Sequence, residues 1–422
     1  MQAAVKRPAR LQGLARVPGD KSISHRALIL NAIATGPAQV HGLSTGDDVT
    51  STAGCLRDLG VEIEAGRVCG VGMRGLKPAA GPLDCGNSGT TMRLLAGLLA
   101  AQDFETMLVG DESLSQRPMD RVVEPLQRMG ARAQSRPLVV GGGGPLLGVE
   151  HRLPVASAQV KSALLLAGLY ARGETAVVEP VTTRNHTETM LEAMGAPVAI
   201  QVAAATVRVR PTEALRPLEL TVPGDLSAAV FWLVAGGLHP RAQITLPGVG
   251  LNPSRSQILQ VLAESIGIAA RESRHRQEGG EPVADLEVGT ASEVRPFELR
   301  APWTAWLIDE LPALAVAATQ LPGRSRIVDA AELRVKESDR IAAMAAGLRA
   351  MGARVRELDD GWEIEGPSRL QGAKVSSRGD HRVAMALAVA GLLAAGETVI
   401  EGAESASISY PEFWDQLDAL CR

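Results

Sequence analysis

Aromatic residues and cysteines are scarce in this sequence, and neither sign of charge dominates. Phenylalanine, tryptophan and tyrosine make up 3% of the 422 residues, and the formal net charge is -4. Nucleic-acid-binding domains usually present a basic face with aromatic side chains on which bases stack, so we expect no nucleic-acid partner. The four cysteines form no CxxC pair and lie in no histidine cluster. This pattern favours reduced thiols and no metal site, and no motif indicates a cofactor.

A long hydrophobic run is also missing. The longest apolar stretch, residues 385–395, is too short to cross a bilayer, which needs about 20 residues. The first 16 residues contain four basic side chains, but no apolar segment follows them as a secretory signal requires. The hydrophobic fraction of 45% and the charged fraction of 21% are typical of a globular protein. We therefore expect a globular, cytoplasmic protein without a membrane partner.

What the sequence does contain is an internal repeat. Six segments are rich in alanine and leucine and are predicted to be helices buried on all sides: residues 22–34, 89–101, 158–171, 227–237, 310–319 and 381–395. Most are followed by a short β-branched run that is typical of a strand. A second, amphipathic helix then ends in a large apolar residue and a glycine, which suits the left-handed backbone after a last helical turn. These glycines recur about every 70 residues: Gly60, Gly130, Gly195, Gly267 and Gly352. The pattern predicts an α/β protein of six helix–strand–helix–strands repeats.

One short string divides the repeats into two groups. Residues 17–22 read VPGDKS, and residues 222–227 read VPGDLS. Pro-Gly pairs interrupt regular structure, and these two copies lie about half a chain apart. We interpret them as two crossings between two domains, each built from three repeats.

Polar and charged residues stand where the six apolar helices are predicted to begin. A helix N-terminus presents unpaired N–H groups and the positive end of a dipole, so it binds anions readily. Serine, asparagine and aspartate are also ordinary N-caps, which is a sufficient explanation for Asp225 and a fair one for Asp380. Capping does not account for Lys21, Arg26 and Arg382, because a cation is disfavoured at this end unless an anion accompanies it. Several such helix starts indicate a ligand with more than one anionic group.

The densest charge cluster is residues 333–340, LRVKESDR. The helix that follows has an apolar stripe, and one turn back this stripe reaches Glu337, beside Arg340. Charges on a buried face are costly unless they are paired or functional; an ordinary salt-bridged helix start is the alternative. In a similar case, Pro118 suits the first turn of a helix, and Arg117 would then lie at its mouth.

Several motifs together resemble the 5-enolpyruvylshikimate-3-phosphate synthase family of enolpyruvyl transferases. They stand in family order and span nearly the whole chain: PGDKSISHR from Pro18, GNSGT from Gly86, RPM from Arg117, SAQ from Ser157, residues 333–340, and DHR from Asp380. The resemblance implies an α/β fold of two domains, each with three βαβαββ repeats and buried parallel helices, an inverted α/β barrel. With the hinge placed at the repeated string, residues 1–19 and 226–422 form a discontinuous domain and residues 20–225 form the other. The active site is expected in the cleft between them.

The resemblance also implies roles for individual residues. Catalytic roles are implied for Lys21, Asp309 and Glu337. Contacts to shikimate 3-phosphate are implied for Lys21, Ser22, Arg26, Ser157, Ala158, Gln159, Arg184, Asp309 and Lys336. Contacts to phosphoenolpyruvate are implied for Lys21, Gly89, Arg117, Gln159, Arg340 and Arg382. No metal or cofactor is implied, and the family inhibitor glyphosate and a monomeric state are expected.

The implied reaction transfers the enolpyruvyl group of phosphoenolpyruvate to the 5-hydroxyl of shikimate 3-phosphate by addition and elimination. One alternative is the sister enzyme that uses UDP-N-acetylglucosamine, but residues 111–116 lack the cysteine typical of its loop, and Ser22 follows Lys21 where that enzyme has asparagine. A second is a non-catalytic anion-binding scaffold. The chain departs from some relatives at Ile408, which replaces a lysine, and at Glu332, an added acid that needs a compensating cation such as Arg334.

Overall fold

The computed structural model describes residues 1–422. In chain order the α-helices are α1 (Lys21–Ala32), α2 (Asp47–Asp58), α3 (Gly89–Leu99), α4 (Glu112–Gln116), α5 (Asp120–Arg128), α6 (Ala158–Gly168), α7 (His186–Ala193), α8 (Leu226–Leu238), α9 (Gln257–Gln260), α10 (Trp303–Trp306), α11 (Leu311–Ala318), α12 (Arg340–Ala350), α13 (His381–Leu393) and α14 (Phe413–Leu420). A π-helical turn, Val261–Ile266, continues α9.

The strands are short and numerous. In chain order they are β1 (Gln2–Lys6), β2 (Leu11–Leu14), β3 (Thr35–His41), β4 (Glu62–Glu64), β5 (Arg67–Val71), β6 (Leu83–Asp84), β7 (Glu105–Val109), β8 (Ala133–Ser135), β9 (Leu138–Gly141), β10 (Glu150–Arg152), β11 (Thr175–Val178), β12 (Val198–Gln201), β13 (Thr206–Val209), β14 (Leu220–Thr221), β15 (Ala242–Gly250), β16 (Ala270–Glu278), β17 (Glu281–Gly289), β18 (Glu298–Leu299), β19 (Gly323–Ile327), β20 (Arg354–Leu358), β21 (Gly361–Gly366), β22 (Lys374–Ser376) and β23 (Glu397–Glu401).

Six small sheets repeat one topology. In β6-β7-β9-β8, the edge strand β6 is parallel to β7, and the remaining neighbours are antiparallel. The orders β10-β11-β13-β12 and β18-β19-β21-β20 are equivalent. In two other sheets the parallel edge strand comes from a distant part of the chain: β14 pairs with β3, and β2 pairs with β15. The sixth sheet has three strands, with β1 antiparallel to β23. The predicted six βαβαββ repeats are confirmed.

The chain forms two compact units. Unit 1 contains Met1–Pro18, Pro223–Gln277 and Glu281–Arg422. Unit 2 contains Gly19–Val222 and Glu278–Gly280. Each unit has three of the six sheets and its own hydrophobic core.

The apolar helices predicted from the sequence form the centre of each core. All residues of α11 and α13 are buried in unit 1, and α1, α3 and α6 are buried over most of their length in unit 2. Small side chains let these helices approach closely. A Cβ on Gly97 of α3 would lie 2.1 Å from the carbonyl oxygen of Ala163 on α6, so only glycine fits there.

The second helix of five of the six repeats ends as the sequence predicts. The glycines at these ends all have positive φ, from 86° at Gly195 and Gly352 to 98° at Gly267. Glycine adopts this left-handed backbone without the strain that a Cβ would introduce.

No helix is long and apolar enough to span a membrane.

Candidate active site

Helix α1 of unit 2 begins at Lys21 and brings several residues of the predicted site together. Asp20 caps the helix by accepting from a backbone N–H of the first turn at 2.9 Å. Lys21 Nζ lies 2.9 Å from Asp48 Oδ2, and the lysine side chain is 17% exposed. Arg184, on the loop before α7, donates from Nη1 to Ser22 Oγ at 3.3 Å. Two cations and a hydroxyl therefore lie around one helix start.

Arg26 lies one turn further along α1 and is buried. Its guanidinium donates to the carbonyl oxygen of Ser22 at 2.9 Å, to Thr187 Oγ1 at 2.6 Å and to Ser162 Oγ at 2.7 Å. These three acceptors belong to α1, α7 and α6. Arg26 thus holds the three helices at fixed positions while adding a positive charge behind the helix start.

The start of α6 supplies a second group of predicted residues. Ser157 caps this helix, which begins at Ala158. The side-chain amide of Gln159 is fixed at both ends, since its Oε1 accepts from Arg93 Nη1 at 2.6 Å and its Nε2 donates to Thr90 Oγ1 at 2.8 Å. Both partners lie on α3, so Gln159 joins the starts of α3 and α6.

Gly89, the first residue of α3, lies directly against two guanidinium groups. A Cβ at this position would come within 2.7 Å of Arg93 Nη1 and 3.1 Å of Arg117 Nη1. Arg117 is buried and donates from Nη2 to Asn87 Oδ1 at 2.5 Å. The absence of a side chain at Gly89 therefore leaves two arginines beside the N-terminus of a helix, where an anion is favoured.

His25 does not add to this positive charge. It is fully buried, and Nδ1 lies 2.7 Å from Thr52 Oγ1. Burial, followed by the charges of Lys21 and Arg26, lowers the pKa of His25 well below its usual value. The ring is therefore neutral at neutral pH, and the positive charge of the α1 start comes from the lysine and the arginines.

Unit 1 contains the charge cluster predicted around residues 333–340. Arg340 is 1% exposed and contacts three carboxylates. Its Nε donates to Asp380 Oδ2 at 2.8 Å, its Nη1 lies 3.4 Å from Asp309 Oδ1, and its Nη2 donates to Glu337. Lys336 Nζ lies 3.7 Å from the same oxygen of Asp309. Five predicted charged groups are thus in one network.

Burial and neighbouring charges act in opposite directions on the pKa of Arg340. Burial alone would lower the pKa of Arg340, but Asp380, Glu337 and Asp309 raise it above its usual value, so the guanidinium stays charged. The side chains of Glu337 and Asp309 are 12% and 18% exposed. Both carboxylates are therefore mostly removed from water yet still reachable, which is the environment that proton-transfer groups need.

Asp380 has two functions in the structure. It caps α13 by accepting from the backbone N–H of Arg382 at 2.8 Å, and it also bonds Arg340. The capping explanation therefore holds for Asp380 but is incomplete. Arg382 donates to the carbonyl oxygen of Ser227 at 3.2 Å. The hydroxyl of Ser227 in turn bonds Glu310 and accepts from Arg255.

The prediction that Pro118 lies in the first turn of a helix is wrong. Arg117 caps the C-terminus of α4, and α5 begins only at Asp120. The first backbone acceptor of α5 is the carbonyl oxygen of Met119, which accepts from the N–H of Val123, so Pro118 precedes the helix. The proline still holds the residue before it in an extended conformation. Arg117 accordingly has an extended backbone, with φ -72° and ψ 146°.

The suggested compensation of Glu332 by Arg334 is also not what the structure has. Arg334 donates to Asp339 Oδ2 at 2.6 Å and to Glu357 Oε1 at 3.2 Å. These partners lie at the start of α12 and on β20. Arg334 therefore braces the segment before α12, where the predicted catalytic residues lie.

Sequence reasoning missed three residues of these networks: Asp48, Arg93 and Arg255. A signal existed for Arg93, because it follows Gly89 by four residues and so lies on the same helix face. Asp48 and Arg255 gave none, since each lies in a polar stretch that looks solvated. No group of three or more histidine, cysteine, aspartate or glutamate side chains is arranged to hold a metal ion.

Comparisons with known protein sequences identify the family of this chain. Residues 5–417 match the family model for EPSP synthase (3-phosphoshikimate 1-carboxyvinyltransferase). The chain is 50% identical to a 3-phosphoshikimate 1-carboxyvinyltransferase of Synechococcus sp. (strain RCC307), covering 98% of this chain and 97% of that protein. It is 49% identical to the protein of the same name from Xanthomonas oryzae pv. oryzae, covering 97% and 94%.

Two solved structures also resemble this chain. EPSP synthase from Acinetobacter baumannii superposes with a TM-score of 0.86 at 39% identity, covering 100% of this chain and 98% of that one. The enolpyruvyl transferase NikO from Streptomyces tendae superposes with a TM-score of 0.76 at 19% identity, covering 99% and 96%, which shows a shared fold. The chain is therefore a member of the EPSP synthase family.

Proposed function

We propose that this protein is a 3-phosphoshikimate 1-carboxyvinyltransferase, which transfers the enolpyruvyl group of phosphoenolpyruvate to the 5-hydroxyl of shikimate 3-phosphate and releases phosphate. This reaction belongs to the shikimate pathway of aromatic amino acid biosynthesis. The observation that carries the proposal is the network of Asp309, Lys336, Glu337 and Arg340. It combines two partly accessible carboxylates with two cations, which suits proton transfer on an anionic substrate.

Both substrates are polyanions, and the proposal assigns their contacts to residues of both units. For shikimate 3-phosphate these are Lys21, Ser22, Arg26, Ser157, Ala158, Gln159, Arg184, Asp309 and Lys336. The hydroxyl of Ser22 and the guanidinium of Arg184 already lie together, which supports a phosphate site there. Backbone N–H groups at the start of α6 would add donors that need no side chain.

Phosphoenolpyruvate is assigned to a second set of residues: Lys21, Gly89, Arg117, Gln159, Arg340 and Arg382. Arginine suits a phosphate or carboxylate because its planar fork donates two parallel hydrogen bonds. The two guanidinium groups that lie against Gly89, those of Arg93 and Arg117, support this assignment. Lys21 appears in both sets, since one flexible ammonium group can donate to both substrates.

The proposed mechanism takes the roles of the two carboxylates from the family resemblance. Asp309 accepts the proton of the 5-hydroxyl, with Lys336 orienting that carboxylate, and the oxygen forms a bond to C2 of phosphoenolpyruvate. Glu337, assisted by Lys21, gives a proton to C3, which yields a tetrahedral intermediate. In the second step the bond from C2 to the phosphate oxygen breaks, Glu337 takes a proton back from C3, and the double bond re-forms. The hydroxyl proton leaves with inorganic phosphate.

The proposal extends to the inhibitor, the oligomeric state and the compartment. Glyphosate is expected to inhibit, because Gly89 leaves the space that a side chain would fill. A cytoplasmic monomer is expected from the family resemblance. The reaction itself depends on none of these three expectations.

The experiment that tests the function measures phosphate release from phosphoenolpyruvate with each of two acceptors. Release with shikimate 3-phosphate and none with UDP-N-acetylglucosamine is the expected result. Release only with the second acceptor would assign the sister reaction. A folded protein that releases phosphate with neither acceptor would contradict the proposed activity and leave an anion-binding scaffold.

A further inference from the structure

A buried lysine in unit 2 has no place in the mechanism. Lys161 lies in the apolar helix α6 and is 1% exposed. Its ammonium group lies 2.8 Å from Glu179 Oε2 and 2.8 Å from Glu188 Oε1. It also donates to the carbonyl oxygen of Thr183 at 3.4 Å. The ammonium group therefore donates hydrogen bonds to Glu179 and Thr183 and forms an ion pair with Glu188.

The partners of Lys161 enclose the segment that leads to Arg184. Glu179 directly follows β11, and its carboxylate accepts from both the hydroxyl and the backbone N–H of Thr183. Glu188 lies in the first turn of α7. The loop from Glu179 to the start of α7 is therefore tied at both ends to one ammonium group.

Stability alone does not explain this arrangement. Removing three charges from water is costly, and apolar residues of similar volume often stabilise a core at least as well as a buried ion pair. Buried ionic groups do have directional bonds that apolar contacts lack. A lysine bonded to two carboxylates and a loop carbonyl therefore fixes the course of the loop, and the loop residue next to Thr183 is Arg184.

We infer that Lys161, Glu179 and Thr183 are positioning residues that set the location of Arg184 and thereby the affinity for the phosphate of shikimate 3-phosphate. None of the three is assigned a contact with substrate. This inference rests on the proposed function, since it concerns how the acceptor is held. It predicts that a change at Lys161 or Thr183 alters the binding of shikimate 3-phosphate and not that of phosphoenolpyruvate.

The test is a double-mutant cycle between Thr183→Val and Arg184→Ala. The valine keeps the shape of threonine but removes the hydroxyl that bonds Glu179. Alone, it is expected to raise KM for shikimate 3-phosphate about tenfold, while kcat and KM for phosphoenolpyruvate change by less than about twofold. In the Arg184→Ala background the same change should have no further effect. An equal effect in both backgrounds, or a lower melting temperature without a change in KM, would overturn the inference.

A matched control and a second variant complete the design. Thr175→Val removes a buried hydroxyl of the same unit that has no hydrogen-bond partner, and its KM values should equal those of the wild type. If Lys161→Met folds, it should raise KM for shikimate 3-phosphate more than Thr183→Val does. If it does not fold, Thr183→Val alone tests the inference. A wild-type protein without turnover would refute the proposed function. Turnover in the wild type with normal kinetics in Thr183→Val would refute the positioning alone.

Discussion

The two units are built from the same repeat, but their helix starts differ in chemistry. In unit 2, Lys21 lies at the start of α1 beside Asp48, and Arg93 and Arg117 lie at the start of α3, where they donate to the amides of Gln159 and Asn87. In unit 1, the corresponding starts are rich in carboxylates, and Arg340 is bonded to three of them. Cations therefore stand out at the helix starts of unit 2, whereas the buried cation Arg340 of unit 1 is surrounded by acids.

This difference shows how one repeat can serve two purposes. A helix N-terminus favours anions whatever its sequence, so adding cations there strengthens anion binding. In unit 1 the network of Asp309, Lys336, Glu337, Arg340 and Asp380 contains three acids and two bases. Its carboxylates thus outnumber its cations, and carboxylates are the groups that transfer protons in the proposed reaction.

The largest effect is expected from Glu337→Gln, because it removes the proposed proton donor while keeping the size of the side chain. We expect kcat to fall about 10³-fold, the middle of the range for general acid–base groups. Phosphate release measures turnover, and titration calorimetry with shikimate 3-phosphate measures binding, which should persist. Glu357→Gln is the matched control, since Glu357 lies in the same unit and bonds Arg334. A Glu337→Gln enzyme with near-normal kcat would show that the carboxylates of unit 1 are structural.

The next effect concerns stability. Arg340→Met leaves three carboxylates without their shared cation, and breaking a buried ion pair in this way costs about 3 kcal/mol or more. Urea unfolding followed by circular dichroism gives the free energy of unfolding. Arg334→Met is the control, because its partners Asp339 and Glu357 are partly exposed, and it should cost less than about 1 kcal/mol. Equal losses in the free energy of unfolding would show that the buried ion pairs of Arg340 contribute no more to stability than the partly exposed ion pairs of Arg334.

Acid should weaken unit 2 through His151, a buried residue whose ring nitrogens lack partners. Burial, followed by the charge of Arg128, lowers the pKa of His151 to about 4, below the unfolded value near 6.5. The unfolded chain then binds more protons, so stability is complete above pH 6.5 and falls as the pH drops toward 4. We expect a loss of about 2 kcal/mol at pH 5. His151→Leu should remove that loss in urea titrations at pH 5 and 7.5, whereas the exposed His41→Leu should not. The same pH dependence in both variants would contradict the assignment.

The sequence predicted the repeat well because its signals are local. In α13, nine of the 13 residues are alanine, valine or leucine. Gly60 or Gly352 marks the end of a second helix. The strand pairs β14 with β3 and β2 with β15 could not be predicted. Pairing between segments so far apart in the chain leaves no periodic or turn signal in either of them.

Only those residues of the candidate site that have a local sequence signal could be predicted. Residues at helix starts stand out, because charges such as Lys21 and Glu337 contrast with an apolar stretch beside them. Arg255 has no such contrast, since it lies in a polar loop and its contact with Ser227 exists only after folding. Lys161 lies inside an apolar helix, and its burial among carboxylates depends on Glu179 and Glu188, which are distant in sequence.

The smallest effect is expected at Gly89, where the comparison can be sharpened within unit 2. Gly89→Ala places a methyl group within 2.7 Å of Arg93 Nη1 and 3.1 Å of Arg117 Nη1. Both atoms are ends of flexible side chains, so the protein should fold normally while the two guanidinium groups move. We expect KM for phosphoenolpyruvate to rise about tenfold at most, and the inhibition constant for glyphosate to rise further if the inhibitor uses the space beside Gly89.

Steady-state kinetics with and without glyphosate measure both constants for Gly89→Ala and the wild type. Gly54→Ala is the control, since its Cβ would meet no atom within 4 Å, and its constants should not change. Full wild-type activity in millimolar glyphosate at limiting phosphoenolpyruvate would show that the inhibitor does not use this space. Unchanged KM and inhibition constants in Gly89→Ala would show that the arginines at the start of α3 bind no substrate. The different charges at the helix starts of the two units would then have a structural role only.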